Sequence, residues 1–369
     1  MKINNVINRI DELLQEGVNE RIFSGAAAGV AAGKPETRGR LMRTAGATRY
    51  EAGVAVDDRT VFDLASLTKP LATTLLLLAL AKRGVIDPEQ PLALFFPEAR
   101  ADKASITLRQ LLSHSSGLPA HRPYHLQLAG VAAAERLATL ARLVLAEPLE
   151  YAPGSRAQYS DLGFLLLGRI IEKAGGAPLD RLFAEWIATP LGLEDELFFN
   201  RTGQMRPRSY AATEFCPWRG RVLVGEVSDE NCHVLGGVAG HAGLFGTIGG
   251  VLALVETIHD CWQGWADHPA LDRDQLSLFL TRQPTPGSTW ALGFDTPSPL
   301  QSSAGHFFSP ASVGHLGFTG TSFWLDPARH LCVVLLTNRV HPSRENHAIK
   351  AFRPRFHDLF ATADQRCSG

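Results

Sequence analysis

The stretch FDLASLTKPLATTLLLLAL, residues 62–80, decides how the rest of the chain is read. It is an apolar run at helical spacing, opening on Ser66 and carrying Lys69 and Pro70 in its first turn. On a helix, residues three apart share a face with about 5–6 Å between their Cβ atoms, so the spacing sets a hydroxyl beside an amine. Pro70 is tolerated there because first-turn amides have no partner within a helix. A helix N-terminus also offers free N–H groups and a partial positive charge. Serine alone is a poor nucleophile, and a neighbouring amine held neutral can take its proton. Ser-x-x-Lys is therefore a compact nucleophile–base unit. Taken alone, the pair reads equally well as an N-capping serine with a solvated lysine. The helix is expected to run to about Arg83 and to stop at Gly84.

Outward from this run, 369 residues suffice for one large domain or two ordinary ones. A net charge of −1 gives no reason to expect a nucleic-acid or anionic-membrane partner. At the N-terminus, Val6, Ile7, Ile10, Leu13, Leu14 and Val18 recur at helical spacing among charges, which reads as an amphipathic helix and not a signal peptide. The longest apolar run, Leu75 to Ala81, is too short to span a bilayer. Cys216, Cys232, Cys261, Cys332 and Cys367 are scattered without a Cys-x-x-Cys pair and fit incidental thiols in a reducing cytoplasm. His121 and His125 in HRPYH have i,i+4 spacing, but the proline makes a loop the better reading than a zinc-binding helix. Neither a metal nor a cofactor is expected.

Residues 24–33 and 39–50 read as two strands around a polar turn. From about 66 to 240 the chain is helices broken by Pro and Gly loops, and 251–265 is a late long helix. The tail returns to strands in STWALGFDT, SVGHLGFTGTSFWLDP and HLCVVLLTNRV. A final helix over RENHAIKAFRPRFHDLFA follows, with Pro354 placed to break it. The expected fold is α+β, with a mainly antiparallel sheet drawn from both chain ends, flanked by helices, plus a helical lobe. Residues 1–65 and 241–369 would form the sheet lobe and 66–240 the helical lobe, with the cleft between them.

Two further motifs join the Ser66–Lys69 pair. AQYSDLGFLLLG places Tyr159 and Asp161 before a buried helix, and GHLGFTGTS places His315 and Gly317 on a late strand. Serine, lysine, tyrosine, and a basic residue with glycine, in that order, resemble the β-lactamase-fold serine hydrolases: class C β-lactamases, low-molecular-weight penicillin-binding proteins, D-aminopeptidases and family VIII carboxylesterases. The resemblance extends through ITLRQLLSHSSGLP, YAPGSRAQYSDLGFLLLG, PLGLEDELFF, LGGVAGHAGLFGT and VVLLTNRVHP, and so covers nearly the whole chain.

The resemblance implies a β-lactamase/transpeptidase-like fold and a small-molecule ester or amide substrate. It makes Ser66 the acyl-forming nucleophile, Lys69 and Tyr159 its proton partners, and the N–H groups of Ser66 and Phe318 the oxyanion hole. Asp161, His315 and Gly317 would border the substrate. Lys69 and Tyr159 both titrate near 10 when free, so one is expected to be shifted toward neutrality. Three positions depart from the family pattern. Asp161 stands where Asn is common and favours a charged lysine. His315 stands where β-lactamases carry Lys and is mostly neutral at pH 7. Leu316 stands where Thr is common. The last two argue against efficient β-lactam turnover. The first expectation is therefore a cytoplasmic, carboxylesterase-like enzyme, with a peptidase on D-amino-acid or cell-wall fragments second and a β-lactamase third. A non-catalytic acyl-binding sensor of the same fold is the reading from another class. No Gly-x-Ser-x-Gly elbow is present, which speaks against an α/β-hydrolase route. His114, in SHSSG, reads as structural.

Overall fold

A computed structural model describes residues 3–361; Cys367 lies outside the described residues. The central element is a five-stranded, wholly antiparallel sheet. Its order is Gly39–Gly46, Gly25–Ala32, Leu331–Thr337, Ser322–Asp326, Val313–Leu316, so two strands from the N-terminal part pair with three from the C-terminal part. Both of its faces are buried, and the period-2 pattern shows how. Along Leu331–Thr337, Leu331, Val333 and Leu335 pack with Ile10, Leu14, Phe352 and Phe356 of the two terminal helices. Cys332, Val334 and Leu336 face the opposite way, into the core that contains Ile248, Leu252 and Val255. Those three belong to the helix Ile248–Gln263, which crosses the second face. A Cβ on Gly29 would stand only 3.1 Å from the Ile248 side chain, so the alanine- and glycine-rich strand GAAAGVAA is what lets this helix lie close.

Between the two sequence ends lie the helical segments. A small second sheet, Phe62–Asp63 with Leu244–Gly246 and Leu197–Phe199, ties the approach to Ser66 to distant parts of the chain. The sequence reading did not anticipate it, because two- and three-residue strands carry too little periodicity to register. The four described cysteines are free and buried, and among the described residues no helix is long and apolar enough to cross a membrane.

Three local expectations need correction. The segment after Ser66 is not one α-helix. A 3₁₀ turn at Ala65–Leu67 leads into a π-helical turn at Lys69–Thr74, and regular α-helix covers only Leu75–Lys82. Pro70 supplies no N–H for a regular ladder, and wide turns of this kind gather at functional sites. The residues of STWALGFDT form no extended strand; they bend back through Gly293 (φ +78°), with single bridges from Asp295 to Trp290 and to Gly314. Pro354 lies inside an unbroken helix, Ile349–Ala361. Buried Phe352 and Phe356 on either side of it hold the helix on the sheet, and that packing outweighs the lost hydrogen bond.

Candidate active site

Ser66 is presented by a strained backbone. Ala65 has φ +48°, a left-handed conformation costly for a residue with a Cβ. It is held there by its N–H donating to Asp63 Oδ1 at 2.8 Å, while Asp63 Oδ2 accepts from Ser228 N–H at 2.7 Å. Complete burial pushes the Asp63 carboxyl up to about 7 against those two donors.

Neither half of the alternative reading of Ser66 and Lys69 survives. Ser66 caps no helix, and the Lys69 side chain is 0 % exposed. Lys69 Nζ donates to Ser66 Oγ at 3.0 Å, to Asp161 Oδ1 at 2.7 Å and to the His241 carbonyl at 3.1 Å. The Tyr159 hydroxyl donates to Ser66 Oγ at 2.7 Å. Thus Lys69 and Tyr159 meet at Ser66 Oγ, and Asp161 joins them through Lys69.

Asp161 opens the helix Asp161–Gly175, N-capped by the Ser160 side chain and ended by Gly176 at φ +70°. Its second oxygen lies 3.4 Å from His121 Nδ1, a contact that loop residues 121–124 did not reveal in the sequence. Burial alone would raise the Asp161 carboxyl, but Lys69 and His121 hold it well below the usual carboxylate range. Burial alone would discharge Lys69, yet Asp161 and Tyr159 hold its ammonium above the ordinary lysine value. Burial raises the Tyr159 phenol, with Lys69 pulling the other way. The expectation that one of the pair is shifted toward neutrality is therefore corrected. At neutral pH the resting site holds a charged lysine and an un-ionised phenol, because the aspartate in place of asparagine supplies the lysine's counter-charge.

The third motif docks directly on the first. Thr319 Oγ1 donates to the Asp63 carbonyl at 2.7 Å and Thr321 Oγ1 to the Leu64 carbonyl at 3.1 Å. A Cβ on Gly317 would fall 1.9 Å from Thr321 Oγ1 and 2.7 Å from Leu64 O, so only glycine permits this approach. His315 is buried and lines the cleft. Burial, with the Lys69 charge, pushes its imidazole down to about 3, and Nδ1 bonds the Leu316 carbonyl at 2.8 Å. It is a neutral group.

These residues line a cleft of about 590 Å³. Ser66, Tyr159, Asp161, His315, Gly317 and Phe318 all border it. Two other sets of residues line it, of which sequence reasoning missed Asp229 and the cationic side chains. One is Asp229 with His241, joined at 2.8 Å between Oδ1 and Nε2. The other is a cationic wall of Arg339, Lys350 and Arg353. Arg353 donates to the carbonyls of Gly317 and Thr321 at 2.7 and 2.8 Å, and Arg339 donates to those of Phe318, Arg344 and Asn346 at 2.7–2.8 Å. Among the described residues no carboxylate forms an ion pair with either. Burial pulls the Arg353 guanidinium down to about 9, which leaves it charged at neutral pH. The described residues contain no cluster of His, Cys, Asp and Glu fit to hold a metal ion.

Comparison with known proteins points to one family. The profile of the family described as Beta-lactamase matches residues 10–353. A protein of Escherichia coli (strain K12), named "Putative D-alanyl-D-alanine carboxypeptidase", is 32 % identical over 318 residues, covering 80 % of this chain and 73 % of its own. Among solved structures, EstCE1, titled "a hydrolase with promiscuous acyltransferase activity", superposes with a TM-score of 0.73 at 23 % identity over 96 % of this chain and 98 % of its own. The simvastatin synthase LovD of Aspergillus terreus superposes with a TM-score of 0.74 at 19 % identity, over 99 % of each chain. At those identities the two structures speak for the fold alone.

Proposed function

The chain belongs to the beta-lactamase family, and from that premise we propose that it cleaves an ester or an amide through an acyl-enzyme on Ser66. The observation that carries this reading is the convergence of Lys69 Nζ and Tyr159 Oη on Ser66 Oγ, at 3.0 and 2.7 Å. In the proposed cycle the ionised form of Tyr159, stabilised by the Lys69 ammonium 4.8 Å from its ring, takes the Ser66 proton as Oγ attacks the carbonyl carbon. The phenol then passes that proton to the leaving group. In the second half it takes a proton from the water that displaces the acyl group, and returns it to Ser66. The two groups titrate as a unit. Ser66 and Phe318 border the cleft and their N–H groups donate to no other described residue, which suits donors for a developing oxyanion.

Neutral His315 offers no fixed cation at its position, and this supports a carboxylesterase-like preference for small acyl esters; a cytoplasmic setting is kept as part of the same reading. The division into 1–65 with 241–369 and 66–240 is kept as part of the same reading. A second reading has its own support. The cationic wall of Arg339, Lys350 and Arg353 suits a leaving group that ends in a carboxylate, as in the carboxypeptidase activity for which the Escherichia coli relative is named. Assays of p-nitrophenyl butyrate and of an N-acyl-D-alanyl-D-alanine peptide separate the two. Turnover of the ester without release of D-alanine supports the first reading. Efficient D-alanine release makes the second the better one. Turnover of neither by an enzyme that acylates on Ser66 returns the sensor reading.

The electrostatics give a signed expectation. Asp161 raises both Lys69 and Tyr159, so Asp161→Asn lowers both, and more of the basic form is present at pH 7. The alkaline limb of kcat/KM, which climbs about tenfold per pH unit while a base is being uncovered, should move to lower pH in the variant. A limb that stays in place would remove Asp161 from the control of the base.

A further inference from the structure

The segment LLSHSSG, residues 111–117, sits behind the site, and His114 is its one titratable side chain. His114 follows the helix Leu108–Leu112 with φ +55°, a conformation that histidine, asparagine and aspartate adopt more readily than other residues. The turn aims both its carbonyl and its ring at residues 158–160. The carbonyl accepts from Gln158 N–H at 2.9 Å, and also from the Tyr151 hydroxyl at 3.0 Å. The ring Nδ1 accepts from Ser160 N–H at 3.1 Å. Gln158 and Ser160 are the two chain neighbours of Tyr159. The imidazole packs on the Tyr159 ring itself, with centroids 4.7 Å apart, and on Trp290 at 4.4 Å, which in turn stands 5.7 Å from the Tyr159 ring.

We propose that His114 is a positioning residue for Tyr159: it grips the backbone on both sides of the tyrosine and backs its ring, so that the hydroxyl points at Ser66 Oγ. The inference rests on the reading of Tyr159 as the proton carrier. An acceptor at Nδ1 requires the proton to sit on Nε2, which has no nitrogen or oxygen partner and is buried. Burial, with the Lys69 charge, keeps the imidazole well below its ordinary value. A second proton would turn Nδ1 into a donor facing the Ser160 N–H, and the apolar enclosure guards against that.

Two substitutions separate positioning from packing. In His114→Asn the amide oxygen takes the place of Nδ1 and the residue still accepts a positive φ. In His114→Gln the amide reaches the place of Nε2 and cannot meet Ser160 N–H. With p-nitrophenyl butyrate, His114→Gln should lose about 10–100-fold in kcat with KM changed little, the scale expected for a catalytic group displaced by about 1 Å. His114→Asn should recover most of that loss at a comparable melting temperature. Equal activity of the two variants, or losses that only follow their melting temperatures, would overturn the proposal. If wild type shows no turnover that Ser66→Ala abolishes, the hydrolase reading has failed, and crystal structures of the variants decide on His114. A Tyr159 hydroxyl withdrawn from Ser66 in the Gln variant and retained in the Asn variant upholds positioning; an unmoved Tyr159 in both refutes it.

Discussion

Ser66→Ala is expected to lower ester turnover by roughly 10⁴–10⁶-fold, the scale of losing a nucleophile that acts together with its base. The fold should be untouched. Ser66 Oγ receives hydrogen bonds from Lys69 and Tyr159, and in its absence Lys69 still holds Asp161 Oδ1 at 2.7 Å and the His241 carbonyl at 3.1 Å. The measurement is p-nitrophenol release by the two proteins side by side, with intact mass after a fluorophosphonate probe. Wild type should gain one label and the variant none. A variant that still turns over substrate would move the nucleophile elsewhere and end the reading of this site. Labelling of wild type without any turnover would instead favour a protein that is acylated and stays so.

Lys69→Met should damage both activity and stability, for separable reasons. Its ammonium is fully buried and paired with Asp161, and removing one member of a buried pair typically costs about 3–5 kcal/mol because the other charge is stranded. Acylation should fall by about 10²–10³-fold, the range for losing a positioned group that stabilises developing charge. The double variant Lys69→Met/Asp161→Asn removes the stranded carboxylate. It should regain most of the stability, read from urea unfolding, and none of the acylation rate, read from probe labelling. Recovery of both together would reduce Lys69 to a counter-ion for Asp161. A single variant as stable as wild type would show that His121, 3.4 Å from the other Asp161 oxygen, suffices to hold the charge.

The two departures from the family pattern that matter most act in the same direction. Asp161 keeps Lys69 charged, and burial keeps His315 neutral, so the fixed positive charge lies beside Ser66 and not on His315. Cationic character reappears on the helix Ile349–Ala361 and on Arg339, across the same cleft. An anionic substrate would therefore be held from that wall, which is why the peptide assay is informative despite His315.

Sequence alone determined the sheet built from both ends and the spacing of Ser66 and Lys69, because each is written in local patterns, while Tyr159 and His315 joined them through the resemblance to a known family. Continuous apolar, β-branched runs such as LCVVLLT, glycine stops such as Gly176, and the 66–69 spacing need no distant partner to be read. Tertiary structure decided what depends on groups far apart in the chain. The charge state of Lys69 is set by Asp161, 92 residues away, and local spacing cannot report a counter-charge. The wide turn at Lys69–Thr74 and the intact helix through Pro354 reflect packing that overrides local preference. The strain at Ala65 is braced by Asp63, itself fixed by the Ser228 N–H 165 residues away, and by Thr321, which donates to the neighbouring Leu64 carbonyl. The cationic wall and the grip of His114 on residues 158–160 likewise arise where separate segments fold against one another, since burial and hydrogen-bond partners belong to the folded chain and not to any stretch of it.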